Sequence, residues 1–140
     1  MDYKAFSQEV KELDLNGKQE FKEVPAGQYE CSLKKLELKQ AKSGADKVSA
    51  WWEILEGEFK GSLLFQNVVL SGSFGTHNYK RFMLDLKTNV DFLNFTSREE
   101  LESVIEKVFD DVIANYEYLV QVKDGKNGFK EFDIQDVFNI

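Results

Sequence analysis

Between Val24 and Leu70 the chain runs through three successive strand-like stretches, and the middle one places two tryptophans side by side. Successive side chains of a strand point to opposite faces, so Trp51 and Trp52 cannot both enter one core. Val48, Ala50, Trp52 and Ile54 fall on one face, with Ser49, Trp51 and Glu53 on the other. That phase predicts a buried Trp52 and an outward Trp51. A large aromatic is then left on a sheet surface near Lys34, Lys35, Lys39, Lys42 and Lys47. Such a surface suits stacked bases and bound phosphates. The competing reading packs both rings, one under the sheet and one beneath a terminal helix.

The flanking patterns supply the other elements. Tyr29, Cys31 and Leu33 alternate, and the apolar phase then slips to Leu36 and Leu38. A slip of this kind predicts a bulge at Lys34-Lys35 that bends the first strand, a device for closing small barrels. Residues 42–46 read as a turn. A third strand is expected from Phe59 to Leu70, with Leu64, Val68 and Leu70 on one face and Leu63, Phe65, Asn67 and Val69 on the other. Thr76 is the expected cap of a helix running to about Thr88, whose buried stripe is Phe82, Met83 and Leu86. A second helix follows Thr96-Ser97, with Glu99 and Glu100 favourably placed in its first turn. Tyr116 to Val122 and Phe129 to Phe138 form a hairpin around residues 124–128. Near the start, Tyr3, Phe6, Val10 and Leu13 mark a short amphipathic helix that Asn16-Gly17 would end.

Three strands, a helical insertion and two strands make a mainly β fold with α insertions. The expected architecture is an OB-like five-stranded barrel with helices between strands three and four. An α+β sandwich of the same elements is the alternative. Residues 1–23 would be an N-terminal helix and linker, and residues 24–140 a single OB-like domain.

Composition narrows the chemistry. The formal net charge is −7, which argues against a nucleic-acid partner until its distribution is considered. Residues 24–95 hold nine Lys and Arg against eight Asp and Glu, whereas residues 96–140 hold five against eleven. Local charge governs phosphate contact, so the near-neutral half with its lysine cluster stays available to DNA. Cys31 is the single cysteine, which excludes an intramolecular disulfide and a CxxC metal site. No signal-peptide core and no apolar run of membrane-spanning length is present, so a cytoplasmic protein without a membrane partner is expected. His77 is the only histidine and reads as a surface residue. No GxxxxGK[ST], HExxH or nucleophile-elbow pattern occurs, and Asp110-Asp111 and Glu99-Glu100 fit a solvated helix face. The expectation is no enzyme, no cofactor and no metal.

Particular residues carry a family resemblance. Pro25-Ala26-Gly27-Gln28-Tyr29-Glu30, then Lys42-Ser43-Gly44, then Trp52 through Gly61 with Leu64-Phe65, resemble the phage DUF669-type proteins. The resemblance covers about half of the chain, roughly Val24 to Leu86. It implies an OB-like fold and single-stranded DNA binding in a phage replication or recombination module. Trp51 departs from the pattern by replacing a polar residue, and Ser62-Leu63 stands where Lys or Arg is common. The acidic, aromatic-ended segment from Glu131 to Phe138 resembles the tails through which single-stranded DNA-binding proteins recruit partners. Its alternation favours a final strand instead.

The leading expectation is therefore a non-enzymatic single-stranded DNA-binding protein. Trp51 and Phe65 would stack bases, while Lys34, Lys35, Lys39, Lys42 and Lys47 follow the backbone and Lys80 and Arg81 extend the track. Phe74 and Tyr79 are further stacking candidates. Taken singly, each lysine also fits a solvated strand edge, and Phe65 also fits plain packing. Expected partners are single-stranded DNA and phage recombinase or replication proteins, with a homo-oligomer allowed for. The alternative function is a protein-interaction module, or a small phage-encoded inhibitor, docking through an exposed aromatic and acidic surface.

Overall fold

The computed structural model describes residues 2–12 and 23–140. Its elements are α1 (Tyr3–Glu12), β1 (Gly27–Gln40), β2 (Asp46–Ile54), β3 (Leu63–Val69), α2 (Gly75–Leu86), α3 (Arg98–Asn115), β4 (Tyr116–Asp124) and β5 (Lys130–Asn139). A short 3-10 turn, Lys126–Gly128, joins the last two strands. The strands form one antiparallel sheet in the order β3-β2-β1-β4-β5. Both helices of the insertion lie between β3 and β4 in the chain, as the element order predicts. The segment from Glu131 to Phe138 is strand, not tail.

The long β1 is shared between two partners. Gly27 to Cys31 pair with β4, and Cys31 to Gln40 pair with β2. The register slips between Leu33 and Lys35, so the bulge expected at Lys34-Lys35 is present and Lys34 is the extra residue. The slip puts Leu36 on the same face as Leu33, and both are buried. Without it, Leu36 and Leu38 would turn outward and the lysines inward.

The inner face of the sheet and the helices α2 and α3 enclose the core. Cys31, Leu33, Val48, Ala50, Trp52, Ile54, Leu64 and Val68 meet Phe82, Met83, Leu86, Ile105, Val108 and Val112 there. Trp52 is fully buried; its Nε1–H donates to Gln66 Oε1 at 3.0 Å, and its ring meets Tyr118 edge-on at 5.3 Å. The Tyr118 hydroxyl donates to the Leu86 carbonyl at 2.7 Å, fastening β4 to the end of α2. Burial pushes the Cys31 thiol up to about 12, which suits the inert core residue that its alternation predicts.

Three expectations need correction. The ladder does not close into a barrel: β3 and β5 remain the two edges of an open sheet, approaching one another without strand pairing. The third strand begins at Leu63 rather than Phe59. Gly57 and Gly61, with φ of 86° each, fold the intervening residues into turns, and Phe59 tucks edge-on against Tyr29 at 6.2 Å. Thr76 does not cap α2; Phe74 holds that position and makes no side-chain cap hydrogen bond. The helix starts early because Gly75 passes close under the end of β3, where an added Cβ would stand 2.1 Å from the Leu70 carbonyl oxygen. At its other end α2 stops at Leu86, where Lys87 takes the left-handed conformation at φ 60°.

Helix α3 follows its sequence signals more closely. Ser97 accepts the Glu100 N–H at 3.1 Å, and Glu100 reaches back to the Thr96 N–H at 2.9 Å. The Asp2 carboxylate caps α1 in a similar way through the amides of Lys4 and Ala5. The side chains of Tyr3, Phe6 and Val10 on α1 are exposed. Leu13, Asn16-Gly17 and the linker to residue 22 lie outside the described residues. Among the described residues no helix is long and apolar enough to cross a membrane.

Candidate nucleic-acid interface

Pairing register decides which side chains share the outer face of β1, β2 and β3. Lys35 stands opposite Trp51, and Trp51 opposite Phe65, so one row crosses all three strands as Lys35–Trp51–Phe65. The next rows are Glu37–Ser49–Asn67 and Lys39–Lys47–Val69. Phe65 is 54% exposed, and Leu63 and Val69 beside it on β3 are also exposed. Ser49, at the centre of these rows, is covered by its longer neighbours and buried.

The two rings meet edge to face. Their centroids are 5.1 Å apart and their planes stand at 85°. A planar group laid on one ring therefore abuts the other, which makes the pair a corner rather than a flat platform. Lys35 Nζ sits over the Trp51 ring at 4.5 Å and Lys39 Nζ at 5.9 Å. The Lys35 ammonium thus covers one face of the Trp51 ring, and the Lys39 ammonium stands farther out over it.

Carboxylates already engage these cations. Glu37 bridges Lys35 at 2.8 Å and Lys39 at 3.6 Å, and Glu53 meets Lys34 at 3.6 Å. Hydrogen bonding from Lys35 is the largest cause holding the Glu37 carboxyl below its ordinary range. Lys42 is exposed in the β1–β2 turn, where the Ala41 N–H donates to the Ala45 carbonyl at 2.8 Å and the Gly44 N–H to the Ala41 carbonyl at 2.9 Å. Five lysines thus stand near three carboxylates, Glu37, Glu53 and Asp46, the last of which is held by Arg98. Lys39 and Lys47 stand directly opposite one another, a like-charge juxtaposition that costs stability in an antiparallel pair. Departures of this kind from the rules of stability are expected where a surface serves a ligand.

Not every candidate residue joins this face. Arg81 lies on α2 beside the β3–β5 opening, where it pairs with Asp85 at 3.9 Å and Asp133 at 3.7 Å. That opening is a groove of about 390 Å³ lined by β3, β5 and α2. Lys80 is an exposed neighbour on the same helix. Tyr79 is buried, donates its hydroxyl to the Phe92 carbonyl at 2.6 Å, and is pushed up to about 12 by burial, so it offers no stacking surface. Phe74 is exposed at the α2 N-terminus. Glu37 and Glu53 carry the opposite charge to the one sought, yet Glu37 holds Lys35 and Lys39 on its own strand and Glu53 reaches Lys34 across to β1.

Comparison with known proteins adds a family. The model of the family described as "Protein of unknown function (DUF669)" matches residues 11–134. The chain belongs to this DUF669 family. The match takes in β1 to β4, both helices of the insertion and the first half of β5, and so extends well beyond residues 24–86. No curated protein matches the chain.

Proposed function

We propose that this DUF669 chain is a non-enzymatic single-stranded DNA-binding protein of a phage replication or recombination module, built on an OB-like barrel left open between β3 and β5. One observation carries the reading: the half-buried Trp51 ring meets the exposed Phe65 edge to face, with the Lys35 and Lys39 ammoniums over it and the Lys39–Lys47 pair one step away. Exposed aromatic rings bordered by cations accept any base on their faces and any phosphate at their rim. A strand order with the helical insertion after β3 supports the OB-like reading, in which the outer face of the central strands meets the nucleic acid. Host-cell cytoplasm, recombinase or replication partners and a homo-oligomer belong to the same proposal.

A second reading, a protein-interaction module, draws on α1. Tyr3, Phe6 and Val10 fall at helical spacing and are all exposed. The two readings part on the behaviour of oligonucleotides.

Salt provides the test of the lysine track. If about four of the lysines neutralise phosphates, log affinity falls against log salt with a slope near −3, from about −0.7 per contact on single strands. Lys35→Ala with Lys39→Ala will reduce that slope by roughly one to two units and weaken all sequences alike. Fluorescence anisotropy with labelled oligo(dT) across a salt series reads both quantities. An unchanged slope would place the DNA elsewhere on the protein.

A further inference from the structure

The bridge made by Glu37 is unusual in its position. Its carboxylate is received by the two ammoniums that stand over the Trp51 ring, with one oxygen on Lys35 and the other on Lys39. A two-oxygen anion held between two lysines beside an aromatic face has the geometry of a nucleotide phosphate next to a stacked base. Resting on the proposed single-stranded DNA-binding role, we infer that Glu37 is a resident phosphate surrogate, displaced when the DNA backbone takes its place between Lys35 and Lys39.

Three consequences follow from that placement. In the free protein the surrogate offsets charge that would otherwise repel across the Lys35, Lys39 and Lys47 cluster, so the cluster is tolerable without DNA. On binding, the lysines exchange one anion for another, and the net electrostatic gain is smaller than the lysine count implies. The released carboxylate then faces a polyanion and takes up a cation from solution, which offsets part of the counterion release from DNA. Glu37 therefore weakens binding and flattens its salt dependence. The Trp51 ring is affected too, because the Lys35 ammonium that Glu37 holds lies on the surface a base needs.

The discriminating variant is Glu37→Gln, which keeps the side-chain length and removes the charge. The carboxylate is partly exposed, so the fold does not depend on it. Glu99→Gln, on the exposed first turn of α3, makes the same change in net charge away from this face. With labelled oligo(dT), Glu37→Gln is expected to bind about five- to ten-fold more tightly at low salt. Its log–log slope should be steeper by about 0.7, one additional phosphate contact, so that the curves converge as salt rises. Glu99→Gln should shift affinity by less than two-fold with no change of slope. Equal affinity and slope for Glu37→Gln and the parent, or weaker binding by Glu37→Gln, overturns the surrogate role while leaving DNA binding intact. Absence of oligo(dT) binding in all three proteins overturns the DNA-binding reading and the surrogate with it.

Discussion

Trp52→Ala is expected to lower stability by about 3–5 kcal/mol, the usual range for removing a buried aromatic and leaving a cavity. Trp52 has no exposed surface, and the loss would be felt at two further places. Gln66 would lose the Nε1–H donor at 3.0 Å, and Tyr118 would lose its edge-on partner at 5.3 Å. Because Tyr118 also ties β4 to the end of α2, the damage reaches both halves of the core. Urea denaturation followed by circular dichroism measures the effect. A loss below about 1 kcal/mol would contradict the buried placement of this ring.

Trp51→Ala is expected to do the opposite. On the outer face it removes one cross-strand aromatic pair, worth roughly 0.2–1 kcal/mol, so the melting temperature should move little. Binding should suffer far more: one stacked base contributes roughly 1–3 kcal/mol, or about a five- to 150-fold loss of affinity. Titration of the variant with oligo(dT), beside its thermal melt, separates the two effects. A large fall in melting temperature with unchanged affinity would assign Trp51 to packing alone.

The placement of Trp52 in the core and Trp51 on the opposite face was legible in the sequence because strand alternation is a local rule. The same holds for the bulge at Lys34, since Leu33 and Leu36 both demand the core, and for Ser97 as the cap of α3. What could not be read depends on positions far apart in the chain. Whether β3 and β5 pair is set by how the whole sheet curls around α2 and α3, and no local pattern encodes it. Tyr79 looked available beside a loop, yet its hydroxyl is claimed by Phe92, thirteen residues onward. Arg81 looked like an extension of the lysine track, yet α2 places it beside Asp133 of β5. Thr76 is a good capping residue, but the close pass of Gly75 beneath Leu70 starts the helix before it. The partners of Glu37 lie two residues away on either side, which any strand offers; that they also flank Trp51 required the register.

A titration of the protein with oligo(dT) beside a blunt duplex of equal length, at low and moderate salt, decides whether the Trp51–Phe65 face binds single-stranded DNA. Tight, sequence-tolerant binding to the single strand, quenching of Trp51 fluorescence and much weaker binding to the duplex, whose bases are already stacked, are expected. Binding to duplex with none to oligo(dT), or no binding to either at low salt, would contradict that role.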